Sequence, residues 1–229
     1  MAHFPRYAIY YAAPRGSALD HFGAQHLGYD AWTGDDLSFP EGIPADWREL
    51  TDDPRKYGFH ATLKAPYALA PGESEAALTA ACADFARTPR PVPVIAPVVS
   101  SISGFIAVVP AGPPDELTQL AADCVRAFDR FRAALTPEDR ARRRPERLTP
   151  RQRAHLDRWG YPYVMEEFRF HMTLTGRLDD ARRGPVLDLL GRRFQALGLT
   201  SLAIDGIALF RQADAHSRFR IIGEWRLQG

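Results

Sequence analysis

The chain has 229 residues, 45% of them hydrophobic and 25% charged, with 29 basic against 28 acidic residues and a formal net charge of +1. That length holds one large domain or two small lobes with a real core, and the mix is that of a folded protein rather than a disordered one. A balance so close to zero excludes a global electrostatic pull toward nucleic acid or membrane, and no apolar run approaches a membrane span.

The chain passes into a Tyr- and Ile-rich strand at 6–12 without a charged leader and apolar signal core, so the expected compartment is the cytoplasm. Ser17 reads as the N-cap of a helix to Leu27, with Leu19, Phe22, His26 and Leu27 inward and Gly28 as its stop. Residues 29–56 have no period, and Trp32 and Trp47 argue that this long loop packs. A strand over 57–64 follows, then a helix over 73–87 with Leu78, Cys82 and Phe85 on its inner stripe. Residues 92–100 and 103–109 read as a hairpin about Ser101-Ile102-Ser103-Gly104, and Pro93 and Pro97 make its first strand an edge or an irregular one. Gly112-Pro113-Pro114 marks a boundary, and 115–135 carries the best helical period in the chain.

From Thr136 to Arg158 apolar residues thin out and eight arginines gather, with Thr149-Pro150 as a helix start and Gly160 as its stop. This basic helical insert, 136–160, reads as a solvated hairpin whose charge Glu138, Asp139, Glu146 and Asp157 partly offset. The competing reading is a phosphate-facing lid or an RNA contact. A strand over 163–175, a helix over 181–197 capped by Asp179 or Asp180, and strands over 199–210 and 217–227 complete the chain. Cys82 and Cys124 fall in helical patterns and read as buried thiols.

Two stretches say nearly the same thing: Phe59-His60-Ala61-Thr62-Leu63 and Phe170-His171-Met172-Thr173-Leu174. In a strand, side chains alternate between faces. His60, Thr62 and Lys64 therefore share one face, as do His171, Thr173 and Thr175, with apolar residues behind. Tyr57 has the opposite parity and joins the site only if Gly58 makes a bulge or the strand begins later. Each motif strand is followed by a helix and two strands, an internal repeat of supersecondary order. The expected fold is α+β and bilobal: two similar β-α-β-β lobes, 1–112 and 113–229, with antiparallel sheets facing a central cleft in one catalytic domain, 1–229. Only such a facing could bring together two histidines so far apart in sequence.

Two imidazoles across a cleft, each beside a hydroxyl, suit acid–base chemistry at a phosphate. One can remove a proton while the other delivers one. Hydrolysis of a cyclic phosphodiester needs both acts, and the threonine hydroxyls can stabilise charge growing on the non-bridging oxygens. Lys64 can add positive charge on that face. A metal site would need a third ligand, and no carboxylate stands in either motif face, so no metal is expected.

The paired His-x-Thr strands resemble the two-histidine (2H) phosphoesterase superfamily, which includes RNA cyclic phosphodiesterases and RNA 2′-5′ ligases. The longer wording, Tyr57 to Lys64 with Tyr161 to Gly176, is similar to a subgroup associated with phosphonate-degradation operons. The resemblance implies catalysis by His60, Thr62, His171 and Thr173 and no metal, while the strand faces add Lys64, Thr175 and Tyr57 as expected substrate-binding residues, and no cofactor is expected. It implies a small phosphorylated substrate, such as a ribosyl cyclic phosphate of phosphonate breakdown, and no membrane partner. The alternatives are an RNA 2′,3′-cyclic phosphodiesterase or RNA end-processing enzyme and, from another class, a noncatalytic nucleotide- or RNA-binding module.

Overall fold

The structure is a computed structural model that describes residues 3–113 and 115–229, so Pro114 of the expected boundary lies outside the described residues. In chain order the elements are β1 (Arg6–Tyr11), α1 (Ala18–Leu27), α2 (Trp47–Leu50), α3 (Asp52–Arg55), β2 (Ala61–Ala68), α4 (Glu75–Arg87), β3 (Val94–Ile95), β4 (Pro97–Ile102) and β5 (Phe105–Pro110). Then come α5 (Asp115–Phe128), α6 (Pro137–Arg142), α7 (Pro150–Trp159), β6 (Met172–Thr173), α8 (Asp180–Gln195), β7 (Leu202–Ala203), β8 (Gly206–Gln212) and β9 (Arg220–Arg226).

The fold is α+β and built on antiparallel pairing. One seven-stranded sheet runs in the order β4-β5-β6-β2-β1-β8-β9, and β3 pairs with β7 in a separate ribbon. This corrects the lobe boundaries expected at 1–112 and 113–229. The hairpin β4–β5 follows the first motif strand in sequence but pairs with the second, β6; β8–β9 follows the second but pairs with β1. The repeat itself is present: β2-α4-β3-β4-β5 is answered by β6-α8-β7-β8-β9, and the equivalent strands β2 and β6, and β3 and β7, pair with each other.

Alternation along the strands sorts the two faces. Ile9, Tyr11, Leu63, Val108, Met172, Ile207 and Leu209 point to the back, where they join Leu117, Leu120, Phe128, Leu190 and Phe194 in the main core. There α5 lies along β2, α8 on β4 and β5, and α4 under β8 and β9. Burial of each such side chain stabilises the fold by roughly 1.5–3 kcal/mol relative to exposure. On the front, Ala8, Tyr10, Ala208, Phe210 and Phe219 pack against Tyr29 and Ala31 of the long loop. That loop packs as its tryptophans imply: Trp47 is buried, and its indole Nε1 donates to the His26 carbonyl at 2.7 Å. The front of β5, β6 and the start of β2 lacks such apolar cover, and the site lies there.

Candidate active site

The two motif strands are neighbours in the sheet. Ala61 pairs with Met172 in antiparallel register. One residue to either side, that register sets Thr62 opposite His171 and His60 opposite Thr173, all on the front. Opposed pairs in such a ladder have Cβ atoms about 4.5–5.5 Å apart. The two histidines, 111 positions apart in sequence, thus stand on neighbouring strands of one sheet, each opposite the other's threonine, and not across a gap between two sheets.

Both histidines are held alike. His60 Nδ1 lies 2.9 Å from the Gly58 carbonyl, and His171 Nδ1 lies 2.7 Å from the Arg169 carbonyl. A main-chain carbonyl only accepts, so each Nδ1 carries the proton and each Nε2 is left for a substrate. Thr62 Oγ1 is 3.4 Å from His60 Nε2, within reach of the same atom. The His60 ring stacks on Tyr10 at 3.8 Å between centroids, and Tyr10 leans on Phe210. Gly58 places the neighbouring residues: its φ of +76° turns the chain before β2, so that the Tyr57 ring comes to 6.0 Å from His60 and stacks on Phe219. β2 begins only at Ala61, so the strand parity that would turn Tyr57 to the back does not extend to it.

Burial pushes the His60 pKa down to about 4, against a partial rise from the Gly58 carbonyl, and a charge on His171 lowers it further. Burial also lowers His171, offset in part by its bond to the Arg169 carbonyl. A charge on His171 therefore penalises a proton on His60, as expected of groups that share a site.

Two expected contributors stand elsewhere. The β1–β2 register slips between Ile9 and Tyr10, so that Tyr10 faces Thr62 but Ile9 faces Lys64. The extra residue on β2 turns Lys64 from the front to the back. There it is 3% exposed, and its Nζ donates to the Val125 carbonyl and to Asp129 Oδ1 at 3.1 and 3.0 Å. Thr175 is buried as well: the chain leaves the ladder after Thr173, and Thr175 Oγ1 accepts from Ile106 N–H and donates to the Gly176 carbonyl. Neither side chain joins the His-x-Thr front.

A cavity of about 350 Å³, within the range of small-molecule sites, opens at Thr62 and His171, with Phe105, Tyr161, Arg169 and Arg177 among its walls. Sequence reasoning did not single out Tyr10, Arg169 or Arg177. Arg177, one residue beyond the repeated motif, was the readable signal, since arginine suits the forked recognition of phosphate. In the basic insert Asp139 and Asp157 each offset an arginine, as the hairpin reading expects. Ion pairs Arg140–Asp157 and Arg142–Asp139 brace it, and Arg142, Arg143, Trp159 and Tyr161 line a second cavity beside the first.

Neighbouring antiparallel strands thus each carry a histidine and a threonine on one sheet face, and of the four Thr62 and His171 open to the cavity. The chain belongs to the family described as "Protein of unknown function (DUF1045)", whose model matches residues 62–220. Two curated relatives carry the name "Ribose 1,5-bisphosphate phosphokinase PhnN". One, from Janthinobacterium sp. (strain Marseille), is 36% identical over 90% of this chain and 47% of its own length. The other, from Laribacter hongkongensis (strain HLHK9), is 35% identical over 94% of this chain and 50% of its own length. The chain thus spans about half the length of the curated relatives it matches. Solved structures that align along almost the whole chain include a phosphoesterase (15% identity, 99% of this chain and 100% of the other, TM-score 0.43). E. coli LigT complexed with 3′-AMP aligns similarly (15% identity, 98% and 99% of the two chains, TM-score 0.44).

Proposed function

We propose that this chain is a metal-independent phosphoesterase that hydrolyses a small cyclic phosphodiester by paired-histidine acid–base catalysis. The observation that carries the reading is the register of β2 on β6. It opposes His60 to Thr173 and Thr62 to His171, with both Nδ1 atoms tied to main-chain carbonyls, so that each Nε2 is the atom left to accept a proton, that of His60 lying 3.4 Å from Thr62 Oγ1. His60 is the base: held neutral down to about pH 4, its Nε2 takes a proton from the attacking water. The new P–O bond forms from that water, the ring P–O bond breaks, and His171 Nε2 protonates the departing sugar oxygen. His171 must then be charged, and the phosphate anion raises its pKa on binding. Thr62 and Thr173 donate to the non-bridging oxygens as their charge grows.

The relatives' name supports a ribosyl substrate. Neither Lys56 nor Lys64 follows a glycine, so no Gly-Lys-Ser/Thr phosphate loop is present in this chain. We therefore assign kinase chemistry to the half of those relatives that this chain does not span. A partner domain that acts on a ribose bisphosphate fits an enzyme that opens a ribosyl cyclic phosphate, and phosphonate breakdown is the setting.

Purified, chelated protein should turn over a small cyclic phosphate faster than an oligonucleotide with a 2′,3′-cyclic end. His60→Ala and His171→Ala should each lower kcat by roughly 10²–10⁴. Near-parental turnover in either variant sinks the two-histidine reading, and loss of activity on chelation, restored by a divalent ion, sinks its metal independence.

A further inference from the structure

Beside the catalytic cavity lies a second one of about 230 Å³ that proton transfer at His60 and His171 does not use. The two share Ala65, Tyr161 and Val164 as walls, so they are chambers of one cleft. Cations converge on the second chamber from four separate stretches of the chain. Arg6 enters from β1, opposite Ala68 at the end of β2. Arg132 enters from the other side, bridged to Leu69, and its Nη2 donates to the Arg158 carbonyl of the insert. Arg142 and Arg143 reach in from the insert, and Lys64 borders the chamber from behind.

Most surface arginines are solvated and mean nothing. Here the pairing decides otherwise. Asp129 serves both Lys64 and Arg132, and Asp139 serves Arg142. Five cations thus face two carboxylates, and three positive charges remain. Among the described residues, Arg6 and Arg143 have no carboxylate partner: Arg6 donates to Gln212 Oε1, and Arg143 stands 5.0 Å from the Tyr161 ring. Unpaired like charges in a partly closed, aromatic-walled chamber cost free energy that an anion would offset. The chamber also begins one ring away from the chemistry. The Tyr10 phenol, whose pKa burial raises, feels the opposing charges of Arg6 and Arg143, and the Tyr10 ring carries His60.

We propose that this chamber binds a second phosphate of the same substrate, a phosphomonoester on the sugar whose cyclic phosphate is opened next door. A monoester carries about −1.5 to −2 charge near neutrality, matched to a cationic surplus and to guanidinium forks. The neighbouring diester of an RNA strand brings only one charge and needs an open groove, whereas the insert stands over this chamber. The proposal rests on the phosphodiesterase reading for its substrate, but its binding test does not.

Ribose 5-phosphate is the probe for calorimetry, and adenosine 2′,3′-cyclic phosphate with and without a 5′-phosphate is the pair for kinetics. Ribose 5-phosphate should bind the parent, at least tenfold more weakly to Arg143→Gln and Arg6→Gln, and within twofold of the parent to His171→Ala. The parent should prefer the 5′-phosphorylated cyclic nucleotide at least tenfold in kcat/KM, and Arg143→Gln should reduce that preference to about twofold. Arg143 is exposed on the insert, so its variant keeps the fold even if Arg6→Gln does not. Equal binding of ribose 5-phosphate by the parent and Arg143→Gln overturns the second site, as does turnover of both nucleotides without preference. If the parent cleaves neither nucleotide, the phosphodiesterase reading fails, and the calorimetry alone decides the subsite.

Discussion

Under the proposed mechanism His60 must have a fixed tautomer and start neutral, and the Gly58 carbonyl and burial supply these. The lowered pKa has a consequence for stability. The folded form refuses a proton that the unfolded chain takes up near 6.5, so stability is complete above that pH and falls as pH drops toward about 4. At pH 5 the loss from this one group is about 2 kcal/mol. His60→Ala removes the term, so denaturant midpoints should show its stability relative to the parent improving by about that amount between pH 7.5 and pH 5. A relative stability that stays constant over this range contradicts a His60 held neutral. Lys64 makes the opposite case. With Nζ buried between Asp129 and the Val125 carbonyl, Lys64→Ala should cost about 3 kcal/mol of stability, at the low end for a broken buried pair because Asp129 keeps Arg132. If Lys64→Ala instead loses kcat as His60→Ala does at unchanged stability, Lys64 belongs in the site after all.

At the scale of elements, what the sequence made legible was local. Ser17 caps α1 and Gly28 ends it in the left-handed region; Thr149 and Gln152 form a capping box on α7, and Gly160 ends it. These signals lie within a few residues of what they control. The two His-x-Thr fronts were equally readable, because alternation is a property of one strand. The bulge that turns Lys64 is a register fact between β1 and β2, and no residue of either strand announces it alone. The expected strand over 163–175 shrank to Met172–Thr173 for a similar reason: a 3-10 turn at Met165–Glu167 precedes it, and Thr175 turns away to close on Ile106. Gly58 is the element-level hinge of the site. An added Cβ there would meet the Ala31 Cβ at 2.7 Å, at a φ that side chains rarely adopt. Gly58→Ala should therefore lower the melting temperature and, by shifting the carbonyl that orients His60, lower kcat as well. A variant that melts lower while kcat is unchanged would separate the turn from the orientation of His60.

At the scale of the whole molecule, the repeat is built by exchange. Each motif strand sends its following hairpin to the other side of the sheet, so β6 gains β5 and β4, while β1, beside β2, gains β8 and β9. Sequence order alone suggested two lobes that close on themselves, because consecutive strands are usually neighbours. The exchange puts the junction of the halves at the β2–β6 pair, which is also where the two histidines and two threonines of the repeated motif meet. Fold and site are thus joined at one place, and neither half holds a complete back or front. Cut at the expected boundary, 1–112 keeps β1, β2 and the β4–β5 hairpin but loses β6 and β8 from between and beside them. Fragment 113–229 keeps β8–β9 but loses β1, which separates that hairpin from the motif strands. Apolar rows such as Val108, Met172, Ala61 and Tyr11 draw on both fragments, so each fragment alone exposes a sheet face and unpaired edges. Expressed singly, the two fragments should be unfolded or aggregated, with no cooperative melt. Expressed together, they should copurify as a one-to-one complex that regains whatever cyclic phosphate turnover the intact chain has. A cooperative melt from either fragment alone would mean that it forms a lobe of its own, and the exchange of hairpins would not be what holds this sheet together.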